Sequence, residues 1–136
     1  MRAPLLLAAT AALALTGFAA AQTAAPDNSH GFVSATRFGQ RDGAVLYATI
    51  CAGCHMPNGR GATGAGMYPP LAGNEKLEAA AYPIQVVVNG LRGMPGFASQ
   101  LDDAQIAAVV NWVRTNLGNS YRADPARPED VRAARQ

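Results

Sequence analysis

Cys51-Ala52-Gly53-Cys54-His55 holds both cysteines of the 136-residue chain and one of its two histidines. Two thiols separated by two residues, followed at once by an imidazole, form the attachment signature of c-type haem. The spacing has a physical reason: each thiol reaches one vinyl group in a thioether, and the next side chain lies beneath the iron. Other uses of the pentapeptide fit less well. A zinc site needs four ligands, and after these three only His30 and carboxylates remain. A thioredoxin-type pair belongs in a βαβ setting, for which there is no pattern. A structural disulfide leaves His55 without a purpose.

A covalent prosthetic group also answers the problem of size. Residues 1–21 read as a secretory signal peptide: Met1-Arg2, an apolar stretch through Leu5, Leu13 and Leu15, then Ala19-Ala20-Ala21 before Gln22. What remains is a single small domain whose core benefits from a staple. An exported chain with two cysteines sits where free thiols oxidise unless occupied, which points to the periplasm. Net charge +2, with Lys76 the only lysine, excludes a strongly basic nucleic-acid binder.

The pattern of apolar residues predicts an all-α protein. Residues 22–39 form a flexible leader without period, in which Phe32 and Phe38 are candidates to dock. Asp42 is the N-cap of a helix over about 43–54, with Val45, Leu46, Tyr47 and Ile50 at helical spacing. The Gly- and Pro-rich stretch from Asn58 to Leu71 is read as irregular. A short helical turn comes next, around 74–81. A helix over 82–89 then has Pro83 in its first turn and Gly90 just past its end. The Val86-Val87-Val88 run would also suit a buried strand, but no partner strand is evident. Asp102 and Gln105 form a capping box, and Ile106, Val109, Val110, Val113 and Leu117 line one face up to Gly118. Residues 119–136 read as a surface C-terminal tail with one helical turn near 129–135.

Opposite His55, a second axial ligand has four candidates. Met56 follows His55 directly and cannot reach the other face. His30 lies in the leader, where holding it would cost much ordering entropy. Met67 is 12 residues past His55, beside Pro69-Pro70 in the loop expected on the His55 side. Met94 lies 39 residues on, in the turn Gly93-Met94-Pro95-Gly96-Phe97, and is the expected ligand. Met/His ligation raises the reduction potential.

Taken together, residues from Gly39 to Gly118 resemble a class I monohaem c-type cytochrome of the small bacterial kind. Gly43 and Tyr47 resemble the small-plus-aromatic face of its first helix, with Val109 and Trp112 as counterparts on the closing helix. Pro69-Pro70-Leu71 resembles the segment whose proline carbonyl accepts the Nδ1–H of the proximal imidazole, with either proline in that role. Gly93 to Phe97 resembles the distal Met turn, and Leu101 to Ile106 the start of the closing helix. The stretch after Gly118 resembles, more weakly, tails of cytochromes that accompany periplasmic dehydrogenases.

The resemblance implies a cytochrome c domain over 40–118. One covalent haem c would be held by Cys51 and Cys54, with His55 and Met94 on iron and Phe97 packed beside it. The implied role is a periplasmic one-electron carrier and not an enzyme, fed by a dehydrogenase or quinol oxidiser and emptied by a cytochrome or terminal oxidase. A haem enzyme or gas sensor is the alternative, and would require a labile distal ligand. Arg60 and Arg92 are candidates for steering an acidic partner or pairing a haem propionate.

Overall fold

The computed structural model describes residues 32–34, 37–64 and 66–135. The signal peptide over 1–21, His30 and most of the leader lie outside these residues. Helix α1 (Gly43–Leu46) starts where expected: Asp42 is extended and its carboxylate accepts from the Val45 N–H at 3.0 Å. The helical path then widens into a π-helical stretch, Tyr47–Cys51, before α2 (Ala52–His55). The Thr49 hydroxyl donates to the Val45 carbonyl at 2.8 Å, a back-bond that competes with the regular ladder. The wide turn closes with Ala52 N–H on the Tyr47 carbonyl. One extra residue offsets the register of the succeeding turn by about 100°.

Two short antiparallel ladders modify the all-helical outline. In the leader, β1 (Phe32–Ser34) pairs with β2 (Arg37–Phe38). Within the stretch read as irregular, β3 (Ala62–Thr63) pairs with β4 (Met67–Tyr68). Glycines made that stretch look unstructured, but a two-residue ladder needs only a tight return, and Gly64 N–H closes it on the Gly66 carbonyl at 2.9 Å.

A 3-10 turn over Glu75–Leu77, capped by Asn74, leads to α3 (Ala81–Asn89). Ile84 and Val88 are buried, so the valine run is helical, and Gly90 ends it at φ 78°. Helix α4 (Asp103–Thr115) carries the predicted capping box, with both bonds formed between Asp102 and Gln105. Ile106, Val109, Val110 and Val113 are buried along one face. Leu117 is not part of the helix as expected; α4 stops two residues earlier. Its last carbonyls are taken by the returning chain, with Asn119 Nδ2 on Val113 at 2.9 Å and Tyr121 N–H on Arg114 at 2.9 Å.

α1 and α4 cross at Gly43. A Cβ there would lie 2.4 Å from the Ala108 carbonyl oxygen and 2.8 Å from Trp112 Cβ, so only glycine allows this approach. Beside it the Tyr47 and Trp112 rings stack, tilted, at 4.6 Å.

The expectation of a surface tail after residue 118 is corrected. Helix α5 (Pro128–Ala134) packs on α3 and α4, with Ala126, Val131 and Ala134 in the core. Asn111 pairs with both the N–H and the carbonyl of Ala126 at 2.8 Å. Arg114, 1% exposed, donates to the carbonyls of Leu77, Glu78, Ala123 and Asp124 at 2.6–2.8 Å. Arg135 binds Asp103 at 2.6 Å and the Leu101 carbonyl at 2.7 Å. The segment looked polar because four arginines outweigh a few small apolar residues; the fold instead sets those apolar residues inward, and Arg135 helps to bind the segment down.

Two substitutions test this frame in the haem-loaded protein. Gly43→Ala should cost about 1–3 kcal/mol through overpacking at the crossing. Arg114→Met should cost at least about 3 kcal/mol by stranding buried carbonyls. Each is read as a lowered urea midpoint with an unchanged slope.

Candidate haem site

The donor groups of the pentapeptide sit at the end of one helical path. Cys51 closes the π-helical stretch and is half-buried, Cys54 is exposed on α2, and His55 is its buried last residue. As a free thiol, Cys51 is pushed up to about 12, chiefly by burial and then by neighbouring Cys54. Such a thiol stays neutral near pH 7 while it is free. Among the described residues no three His, Cys, Asp or Glu gather into a metal site.

Past His55 the chain reverses abruptly. Pro57 disfavours a helical Met56, and Met56 adopts φ 66°, ψ 153°. Its carbonyl accepts from the Tyr47 hydroxyl at 2.7 Å and from Gly59 N–H at 3.0 Å. Gly61 N–H then donates to the His55 carbonyl at 3.0 Å. Gly61 is at φ 66°, where a Cβ would fall 2.1 Å from the Tyr68 carbonyl oxygen; the β3–β4 hairpin closes over its bare Cα.

That hairpin delivers Pro69. Its carbonyl oxygen lies 3.0 Å from His55 Nδ1. A carbonyl only accepts, so Nδ1 carries a proton, and in the neutral ring Nε2 keeps its lone pair. Pro70, the other proline considered for this contact, does not make it; its carbonyl accepts from Asn74 Nδ2 at 2.9 Å. Leu71 and Ala72 N–H groups both donate to the Gly59 carbonyl, at 2.7 and 2.9 Å. Asn119 fastens the far end: its side chain accepts from Gly73 N–H at 2.8 Å and donates to the Leu71 carbonyl at 2.9 Å.

Met94 lies on a separate segment, beyond α3. Leu91 and Met94 exchange both backbone hydrogen bonds at 3.0 Å, closing a four-residue turn with Arg92 at φ 56°. Gly90 and Gly96 let this turn press on the helix end. A Cβ at Gly96 would meet the Val88 carbonyl oxygen at 2.6 Å, and one at Gly90 the Met94 carbonyl oxygen at 2.5 Å. Phe97 N–H donates to the Val87 carbonyl at 2.8 Å, and its ring is partly buried on the core. Met94 is half-buried, whereas Met67 on β4 is 78% exposed. Arg60 and Arg92 are both exposed.

The donor set fits a covalent haem: two thiols, an imidazole with Nε2 left free, and apolar side chains flanking both donor segments. Leu71 follows the prolines and is only half-buried; Leu91, in the Met turn, is 49% exposed. Three contributors escaped the sequence reading: the Tyr47 hydroxyl, Gly61 and Asn119. Pro57 was the available signal that Met56 leaves the helix. Nothing in the local sequence marks Asn119. Asn119→Ala should remove about 2–3 kcal/mol by leaving backbone groups near Pro69 unpaired, read as a lower Tm of the haem-loaded protein.

Comparison with known proteins identifies the family. Residues 39–113 match the family described as cytochrome c oxidase, cbb3-type, subunit III. Cytochrome c-552 of Thermus thermophilus is 39% identical over 116 residues, covering 71% of this chain and 86% of that protein. The cytochrome c subunit of the quinone alcohol dehydrogenase of Gluconacetobacter polyoxogenes is 38% identical over 90 residues, 57% of this chain and 19% of that subunit. The fructose dehydrogenase cytochrome subunit of Gluconobacter japonicus is 33% identical over 95 residues, again 19% of its length. A family match across more than half the chain, with a similar relative matched over most of its own length, makes this protein a member of that cytochrome c family: a monohaem c-type cytochrome that transfers electrons through covalently bound haem c.

Proposed function

We propose that the protein is an exported, periplasmic one-electron carrier whose iron is held between His55 Nε2 and the Met94 thioether. The observation that carries this reading is the contact of 3.0 Å between His55 Nδ1 and the Pro69 carbonyl. A fixed Nδ1–H orients the ring, keeps one tautomer and raises the basicity of Nε2. When bound, haem c supplies reversible one-electron chemistry between ferric and ferrous iron. Cys51 and Cys54 would anchor it, and Phe97 would pack beside it.

Met94 is favoured as the distal ligand because its turn is braced by its own backbone hydrogen bonds and by two glycine contacts. Such a brace would limit movement of the Met94 side chain between oxidation states. With His55 and Met94 both holding the iron, no position would be left for oxygen or peroxide, and electron transfer is the chemistry the haem would supply. The dehydrogenase cytochrome subunits among its relatives support a dehydrogenase as donor, with a cytochrome or oxidase as acceptor. Export rests on the signal-like segment over 1–21. No helix among the described residues is long and apolar enough to cross a membrane.

Two experiments test the reading. Met94→Ala should abolish the thioether-to-iron charge-transfer band of the ferric protein and admit carbon monoxide to the ferrous form. The parent protein should be indifferent to that gas, and ready binding by the parent would point to a haem enzyme or sensor instead. Cys51→Ser/Cys54→Ser should carry no covalent haem and show little helix by circular dichroism, because the small core then lacks its centre.

A further inference from the structure

One of the four side-chain-bearing residues with positive φ among the described residues lies next to the proposed iron ligand. Met56 has φ 66° and ψ 153°, a region that glycine enters freely and side-chain-bearing residues do not. Pro57 accounts for the ψ value, since a residue before proline is driven out of the helical region. It does not account for the sign of φ. An extended Met56 with negative φ would satisfy Pro57 equally well.

The positive φ is held by hydrogen bonds that converge on this one residue. The Met56 N–H donates to the Ala52 carbonyl at 3.0 Å, ending α2. On the other side, the Met56 carbonyl receives the Gly59 N–H at 3.0 Å and the Tyr47 hydroxyl at 2.7 Å. The Tyr47 bond differs in kind. Of these three it alone comes from a side chain, and it ties the turn to the residue where the π-helical stretch begins. Tyr47 is itself immobilised, nearly fully buried and stacked on Trp112. Burial, and after it the influence of Cys51, raises its phenol above the ordinary value, so it remains a neutral donor.

We infer that Tyr47 is a positioning residue for the His55 imidazole: its hydroxyl holds the Met56 peptide in the strained turn that aims the next loop, and so the Pro69 carbonyl, at Nδ1. The inference rests on His55 being the proximal ligand. The chain of causes is short. If the Met56 peptide plane swings away, Pro57 to Gly61 move with it. The bond from Gly61 N–H to the His55 carbonyl is then lost, and the hairpin beginning at Ala62 shifts. Pro69, at the end of that hairpin, is no longer held at 3.0 Å. An aromatic ring alone would serve the packing on Trp112; the hydroxyl is what this role needs.

Tyr47→Phe keeps the ring and removes the bond. In the haem-loaded protein, the His55 Nδ1–H should exchange with deuterium oxide at least tenfold faster by NMR. The midpoint potential should rise, because a weaker Nδ1–H bond makes the imidazole a poorer donor to ferric iron. Met56→Gly allows the turn without strain, so it should leave both readouts near the parent values. Adding it to Tyr47→Phe should restore them. Should Tyr47→Phe fail to take up haem, recovery of uptake by the double substitution supports the inference, and failure to recover overturns it. Unchanged exchange and potential in Tyr47→Phe, even with a lower Tm, would also overturn it, leaving Tyr47 as core packing. So would a double variant that behaves like Tyr47→Phe alone. A parent spectrum without ring signals of an iron-bound His55 sinks the ligand reading itself, a result separable from the others.

Discussion

A single carbonyl oxygen, that of Pro69, decides how His55 can be used. Placed 3.0 Å from Nδ1, it takes one of the two ring nitrogens out of play and leaves the other to offer its lone pair. Everything between residues 56 and 69 serves to bring that oxygen there: a turn that proline and tyrosine enforce, a glycine over which a hairpin closes, and an asparagine from beyond α4 that ties the end of the loop down. The loop has little apolar surface with which to order itself, so its geometry is carried by backbone hydrogen bonds and by two anchors from other parts of the chain, Tyr47 and Asn119.

Those anchors depend in turn on the crossing of α1 and α4. Because Gly43 lacks a side chain, the two helices approach until its Cα lies against the Ala108 carbonyl, and only then does Tyr47 stack on Trp112. A π-helical turn follows this crossing and divides the helical path: Gly43, Leu46 and Tyr47 are buried before or at its start, and Cys51 and His55 come at its end and beyond it.

Much of this was legible in the sequence because the strongest signals are local. The pentapeptide, the Asp102–Gln105 capping box, the Asp42 cap and the Gly90 stop each depend on residues within one or two turns. Gly43 and Tyr47 could be matched with Trp112 only through the resemblance to a known family. Illegible features were those in which a polar group acts at long range. Arg114, Asn119 and Arg135 look like surface residues by type, and only the fold shows that they meet backbone carbonyls from segments far away in sequence. The choice between Pro69 and Pro70 was closed to sequence reasoning for a related reason: it turns on the orientation of a single peptide plane. The ladder of β3 and β4 was missed because two residues per strand leave no periodicity to detect.

Arg114 has a consequence of its own. Its guanidinium joins α4 to the segment before α3 and to the stretch leading into α5, and each of these partners is a main-chain oxygen. Burial removes these contacts from counter-ions. The C-terminal segment is thus riveted by a fastening that ionic strength hardly touches, unlike the exposed pair of Arg41 and Asp102. Added salt would loosen the molecule's rim while this joint stayed shut.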